Sequence, residues 1–127
     1  MSTLTISNLN DGTTTVPTTF VTNGSAKAWA TIDQENSPSS VQDSFNVSSI
    51  NDDGGAKNTI SFSSNMGNAL YSFSFGVSNG GGFNDAPTLN VESTNLPNVN
   101  NFRFYCLMNS ALNAARIASI TFHGDLA

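Results

Sequence analysis

The sequence predicts an all-β protein: a single antiparallel β-sandwich of jelly-roll type, built from about eight or nine short strands. Three observations carry that prediction. Turn residues recur about every 8–12 positions, the spacing of sandwich and barrel folds. Two stretches alternate with a period of two, as half-buried strands do. The composition also leaves little else: Asn, Ser and Thr number 18, 18 and 13 of 127 residues, charged residues are only 10 %, and Phe supplies 9 of the aromatics.

Taken in order, a first strand is expected over residues 3–9, ended by the turn chemistry of Asn10-Asp11-Gly12. Residues 18–22, rich in β-branched side chains, read as short and extended. Asn23-Gly24 reads as a two-residue turn, and residues 25–32 as a strand centred on Trp29. A loop with Pro38 covers 33–40, and residues 42–50 form a strand. Asn51-Asp52-Asp53-Gly54-Gly55 reads as a hairpin loop, from which 58–63 returns.

Residues 69–77 give the cleanest alternation. Tyr71, Phe73, Phe75 and Val77 share one face, with Ser72, Ser74 and Gly76 on the other. A long loop over 78–87 contains Gly80-Gly81-Gly82, and a short strand over 88–92 follows. After the Pro97 loop, residues 101–108 form a strand apolar on both faces, with Phe102, Phe104, Cys106 and Met108 opposite Arg103, Tyr105 and Leu107. Such a strand is central or faces another chain. Residues 109–115 are open between one helical turn and a loop, and 116–122 is the last strand. Trp29, Phe45, Val47, Ile60, Phe62, Tyr71, Phe73, Phe75, Phe102, Phe104 and Phe122 are the expected core. All 127 residues form one domain, with no linker and no repeat.

Charge excludes further classes. Four Lys and Arg against nine Asp and Glu give a net charge of -5, the reverse of what phosphate neutralisation requires, so no nucleic-acid partner is expected. No apolar run approaches the roughly 18–20 residues of a membrane span, and no heptad persists. One cysteine excludes a disulfide scaffold. No basic and apolar leader follows Met1, so the chain is expected to fold in the cytoplasm where it is made.

Reactive groups are scarce, and the expectation is that the chain is not an enzyme. His123 is the one histidine and reads as a strand-end residue. Cys106 lies among Phe104, Leu107 and Met108 and reads as a small hydrophobe. No Gly-x-Ser-x-Gly elbow occurs. Asp52-Asp53 and Asp33 with Glu35 sit in loops, where paired carboxylates seldom frame a hydrolytic cleft. Asp52, Asp53 and nearby carbonyls would be the candidate calcium ligands, but their spacing is not that of an EF-hand. No cofactor and no metal is expected. A long loop on a rigid scaffold is the usual place for binding residues. The candidate ligand or partner contact loop is therefore Asn79, Gly81, Phe83, Asn84 and Asp85, with the loop over 33–40 as a second candidate.

An ordered set of blocks carries a resemblance. Asp11-Gly12-Thr13-Thr14-Thr15-Val16-Pro17 leads to Val21, Gly24 and Ala26-Lys27-Ala28-Trp29. Ser44-Phe45-Asn46-Val47-Ser48-Ser49-Ile50 and the Asp52 to Gly55 turn follow, then Thr59-Ile60-Ser61-Phe62, Met66 and Tyr71. This set resembles a β domain of tailed-phage virion proteins, found at the C-terminal end of tail fibres. It covers about the first seventy residues, and the 33–40 segment is longer than the short Asn/Gly turn usual there. The resemblance implies a bacteriophage virion structural protein, homotrimeric, located in the virion after synthesis in the host cytoplasm. Its expected role is a tail-fibre or appendage module that meets a host-surface glycan or protein. The alternative is a capsid decoration protein or short head fibre. Residues 1–24 would then be an N-terminal attachment or strand-exchange segment toward other virion proteins.

Overall fold

The computed structural model describes residues 5–78, 87–92, 94, 96–108, 111–112 and 114–127. Among these lie eleven strands and one short helix, every strand pair antiparallel. The protein is all-β, as the turn spacing and alternation predict.

Two sheets build the body. One contains β3 (Ala28–Asp33), β4 (Ser40–Phe45), β7 (Ser72–Ser78) and β11 (Ile117–His123), in the order β4-β3-β11-β7. The other contains β5 (Val47–Gly54), β6 (Lys57–Phe62), β8 (Thr88–Val91), β9 (Asn101–Met108) and β10 (Ala111–Leu112). Its order is β10-β9-β6-β5, with β8 also paired to β9. As its two apolar faces predict, β9 is central.

The sheets share one core. Phe122 of the first sheet lies 5.1 Å, centroid to centroid, from Phe62 and 5.0 Å from Phe102 of the second. Tyr71 packs edge-on to Phe122 at 5.8 Å, and its hydroxyl donates to the carbonyl of Asn98 at 3.1 Å. Each fully buried Phe contributes about 1.5–3 kcal/mol by leaving water, and each edge-to-face contact about 0.5–1.5 kcal/mol more. Ile60, Phe62, Tyr71, Phe102, Phe104 and Phe122 are buried as expected.

The remaining core expectations need correction. Trp29 is only half-buried, because Ala28 and Ala30 on either side face inward. Ala28 pairs with Phe122 across the sheet, so a small residue makes room for a large ring and the indole goes to the outer face. Phe45 pairs with Trp29 there and is 54 % exposed. Phe73, Phe75 and Val77 do point toward the core, but β7 is an edge strand, which leaves Phe75 46 % exposed and Phe73 partly covered. Val47 is partly buried against the core. Phe73→Ala therefore falls short of the 3–5 kcal/mol of a fully buried Phe.

Three local expectations also change. The expected strand over 42–50 is two strands in different sheets, joined at Asn46, whose φ of 56° is the left-handed conformation that Asn tolerates better than most residues. Its side chain fastens the corner: Nδ2 donates to the carbonyls of Lys27 and Ser64, both at 3.0 Å, and Oδ1 accepts the Ser64 N–H at 2.7 Å. The Asp-rich hairpin is tighter than expected. Asn51, Asp52 and Asp53 remain in β5, and the reversal uses Gly54, Gly55 and Ala56, all at positive φ.

The N-terminal stretch differs most. The expected first strand is shortened to β1 (Asn8–Asn10), which pairs with β2 (Thr15–Pro17) through the Asp11-Gly12 turn. The Asp11 carboxylate accepts the N–H groups of Thr14 and Thr13, which hold it below the usual carboxylate range. The residues expected to be extended instead form α1 (Thr18–Gly24), so Asn23-Gly24 ends a helix rather than a hairpin. Its β-branched residues are weak helix formers, and local contacts offset this. Thr18 N–H donates to the Ser7 carbonyl at 2.9 Å, Ser25 N–H to Val21, and the Lys27 ammonium caps the Thr22 carbonyl at the helix end.

Candidate functional site

The contact loop expected at Asn79, Gly81, Phe83, Asn84 and Asp85 lies outside the described residues. The chain enters it from Ser78, on the first sheet, and leaves it toward Thr88, on the second. The second candidate, residues 33–40, is fastened rather than free. Asp33 accepts the Glu35 N–H at 2.9 Å and the Asn36 amide at 3.0 Å, and the Ser39 N–H donates to Asp52 at 3.0 Å. Gln34 turns into the core, where its amide donates to Asn58 and accepts the Ala115 N–H at 3.2 Å.

The outer face of the second sheet assembles a group of side chains that sequence reasoning did not join. Alternation in β6 sends Asn58, Ile60 and Phe62 inward and Lys57, Thr59 and Ser61 outward. In β9 it sends Phe102, Phe104 and Cys106 inward and Arg103, Tyr105 and Leu107 outward. The register then sets Thr59 opposite Arg103 and Lys57 opposite Tyr105. In β5, Asn51 pairs with Thr59 and Asp52 with Asn58, so the same alternation puts Asp53 on this outer face.

The outcome is a charge lattice across three strands and the end of β8. Lys57 Nζ lies 3.1 Å from Glu92 Oε1, and an Arg103 terminal nitrogen 3.6 Å from Glu92 Oε2. Arg103 Nε lies 3.3 Å from Asp53 Oδ2 but off-line for a hydrogen bond, so that contact is purely an ion pair. Asp53 also accepts the Thr59 hydroxyl at 2.6 Å and the Asn51 amide. Two of the chain's four cations are spent here, each balanced by a carboxylate. Beside the lattice lies a shallow depression of about 320 Å³, lined by Lys57, Glu92, Tyr105, Leu107 and Leu112.

This arrangement is suited to binding. A phenol ring and two Leu side chains provide an apolar floor, and the charged rim provides donors and acceptors, the combination that orients a ligand in a shallow site. The Asp52 and Asp53 side chains, weighed as candidate calcium ligands, are already engaged, by Gly54 N–H, Ser39 N–H, Thr59 and Arg103. Among the described residues no group of three His, Cys, Asp or Glu side chains could hold a metal ion.

Cys106 is buried, and desolvation pushes its thiol above the ordinary value, which disfavours the nucleophilic thiolate. His123 ends β11 opposite Ser72. Among the described residues no helix is long and apolar enough to cross a membrane. No family model, curated protein or solved structure matches the chain.

Proposed function

We propose that the chain is a bacteriophage virion structural protein, a tail-fibre or appendage module that meets the host surface as a homotrimer and catalyses no reaction. The observation that carries this reading is the ordered set of blocks from Asp11 to Tyr71 that resembles tail-fibre domains, together with what those blocks do in the fold. Ala26-Lys27-Ala28-Trp29 leads into β3 with Ala28 turned inward, and Lys27 caps α1. Ser44-Phe45-Asn46-Val47 is the corner that passes the chain between sheets, held by Asn46. Residues with such structural duties are a reason for the pattern to persist without a shared catalytic motif.

Composition supports the same reading. A surface rich in Asn, Ser and Thr makes hydrogen bonds whose strength varies little with ionic strength, unlike a charged surface. The contact chemistry fits a neutral polar ligand such as a host-surface glycan, received over Tyr105 and the lattice rim. Single contacts of this kind are weak, and several copies on one particle multiply them.

The test is the copy number and position of the protein in purified particles, by quantitative mass spectrometry and particle imaging. A few tens of copies or fewer, all on the tail, is the expected result. Hundreds of copies on the head would replace the adsorption role with capsid decoration. Absence from the particle would end both virion roles.

A further inference from the structure

The depression on the outer face of the second sheet has two unlike walls. Lys57 stands opposite Tyr105, and Tyr105 stands opposite Asn90 on β8. Glu92 follows Val91, whose partner is Phe104, so Glu92 lies level with Arg103. The Lys57–Glu92 bridge therefore runs diagonally over β9, between Tyr105 and Arg103, and forms a polar wall. Leu107 and Leu112, paired across β9 and β10, form an apolar one. The Tyr105 ring lies between them.

Much of the hydrogen-bonding capacity around this floor is unspent. Among the described residues Lys57 Nζ makes one hydrogen bond, to Glu92 Oε1, and an ammonium has three N–H groups. The Tyr105 hydroxyl makes none there, and the Asn90 amide, which donates to Thr88 at 3.1 Å, accepts none. A carboxylate oxygen such as Glu92 Oε1 has room for more than one donor. Lys57 and Glu92 keep 29 % and 25 % of their side-chain surface exposed, so a ligand in the depression reaches both.

Three features select the ligand. The lattice sets two cations against two carboxylates, so a net charge on the ligand gains little. The floor of one ring and two Leu side chains suits an apolar C–H face. The polar wall sets a donor and an acceptor 3.1 Å apart, so the ligand must accept and donate from adjacent atoms. Two gauche hydroxyls on neighbouring ring carbons match that spacing: one accepts from Lys57 and the other donates to Glu92. A lone hydroxyl cannot bridge the two, phosphate oxygens have no proton for Glu92 when ionised, and trans-diaxial hydroxyls are too far apart.

We propose that the depression binds one neutral pyranose ring, its C–H face on Tyr105 and its gauche vicinal diol bridging Lys57 and Glu92. At about 320 Å³ the site lies at the small end of ligand pockets, the size for a single ring rather than a long chain. This deepens the glycan contact proposed above and rests on it. The two fail separately: particle location tests the virion role, and sugar titration of the isolated chain tests the depression.

The experiment is a titration of the isotope-labelled full chain, followed by amide NMR. The probes are the methyl glycosides of glucose, galactose and mannose, which between them present diequatorial and axial–equatorial diols. Cyclohexylmethanol, a ring of the same size with one hydroxyl, and inorganic phosphate are the comparisons. At least one glycoside is expected to give saturable shifts at Lys57, Tyr105, Leu107 and Leu112, and none at Trp29 or Phe45 on the other sheet. Lys57→Met and Glu92→Gln, each checked for a retained spectrum, are expected to weaken binding about tenfold. Tyr105→Phe keeps the ring and is expected to keep binding, and Tyr105→Ala to lose it. No saturable shift with any glycoside would overturn the proposal. So would equal affinity for cyclohexylmethanol or phosphate, unchanged affinity in a folded Lys57→Met or Glu92→Gln variant, or binding that survives Tyr105→Ala.

Discussion

Replacing Gln34 by Met tests whether the polar pair inside the core holds the two sheets in register. Gln34 is 4 % exposed and Asn58 is fully buried. The Gln34 amide bridges Asn58 on β6 to the Ala115 N–H just ahead of β11, and so ties one sheet to the other. Met fills nearly the same volume but makes neither bond. The Ala115 N–H and Asn58 Oδ1 would then be buried without partners, at about 1–3 kcal/mol each. Asn58 Nδ2 already lacks one. The expected loss is about 2–6 kcal/mol, a large share of the roughly 5–15 kcal/mol of a typical domain. Urea unfolding followed by the fluorescence of Trp29, the one tryptophan, measures it as a fall of at least about 1 M in the midpoint. Adding Asn58→Leu removes the stranded amide, so the double variant should be more stable than Gln34→Met alone. A single-variant loss under about 0.5 kcal/mol, or a double variant whose loss equals the two singles added, would refute the reasoning.

Three further outcomes follow from particular contacts. Asn46→Ala loses three hydrogen bonds and puts Ala at positive φ, and it should cost about 2–4 kcal/mol in the same urea assay. Gly124→Ala would set a Cβ 2.7 Å from Tyr71 Cβ and 3.3 Å from its Cα; overpacking of this kind costs about 1–3 kcal/mol, read as a lower melting temperature. Burial pushes the Tyr71 phenol up to about 12, so its folded value exceeds the roughly 10 of an unfolded chain. Its contribution to stability is therefore complete below pH 10 and falls as pH rises from about 10 to 12. Unfolding free energies measured across that window should decline less steeply in Tyr71→Phe than in the wild type.

What the sequence by itself determined is the periodic part of the protein. Strand β9 and the alternating Phe73, Phe75 and Val77 follow from local steric and burial rules, which a period of two expresses directly. The Asp11-Gly12 turn is equally local. Position within the sheet is not. Phe75 and Phe102 have the same alternation, but β7 is an edge and β9 is central, so one ring is half exposed and the other buried. Trp29 looked like core because large aromatics usually are, and the Phe122 ring facing Ala28 reversed that. The lattice of Asp53, Lys57, Glu92 and Arg103 draws on residues up to fifty positions apart, brought together by the registers of β5 with β6 and β6 with β9. Helix α1 required Lys27 to reach back to the Thr22 carbonyl, against the preference of its own residues. Local sequence encodes local conformation, whereas exposure and charge pairing depend on which strand lies beside which, and only the tertiary structure decided that.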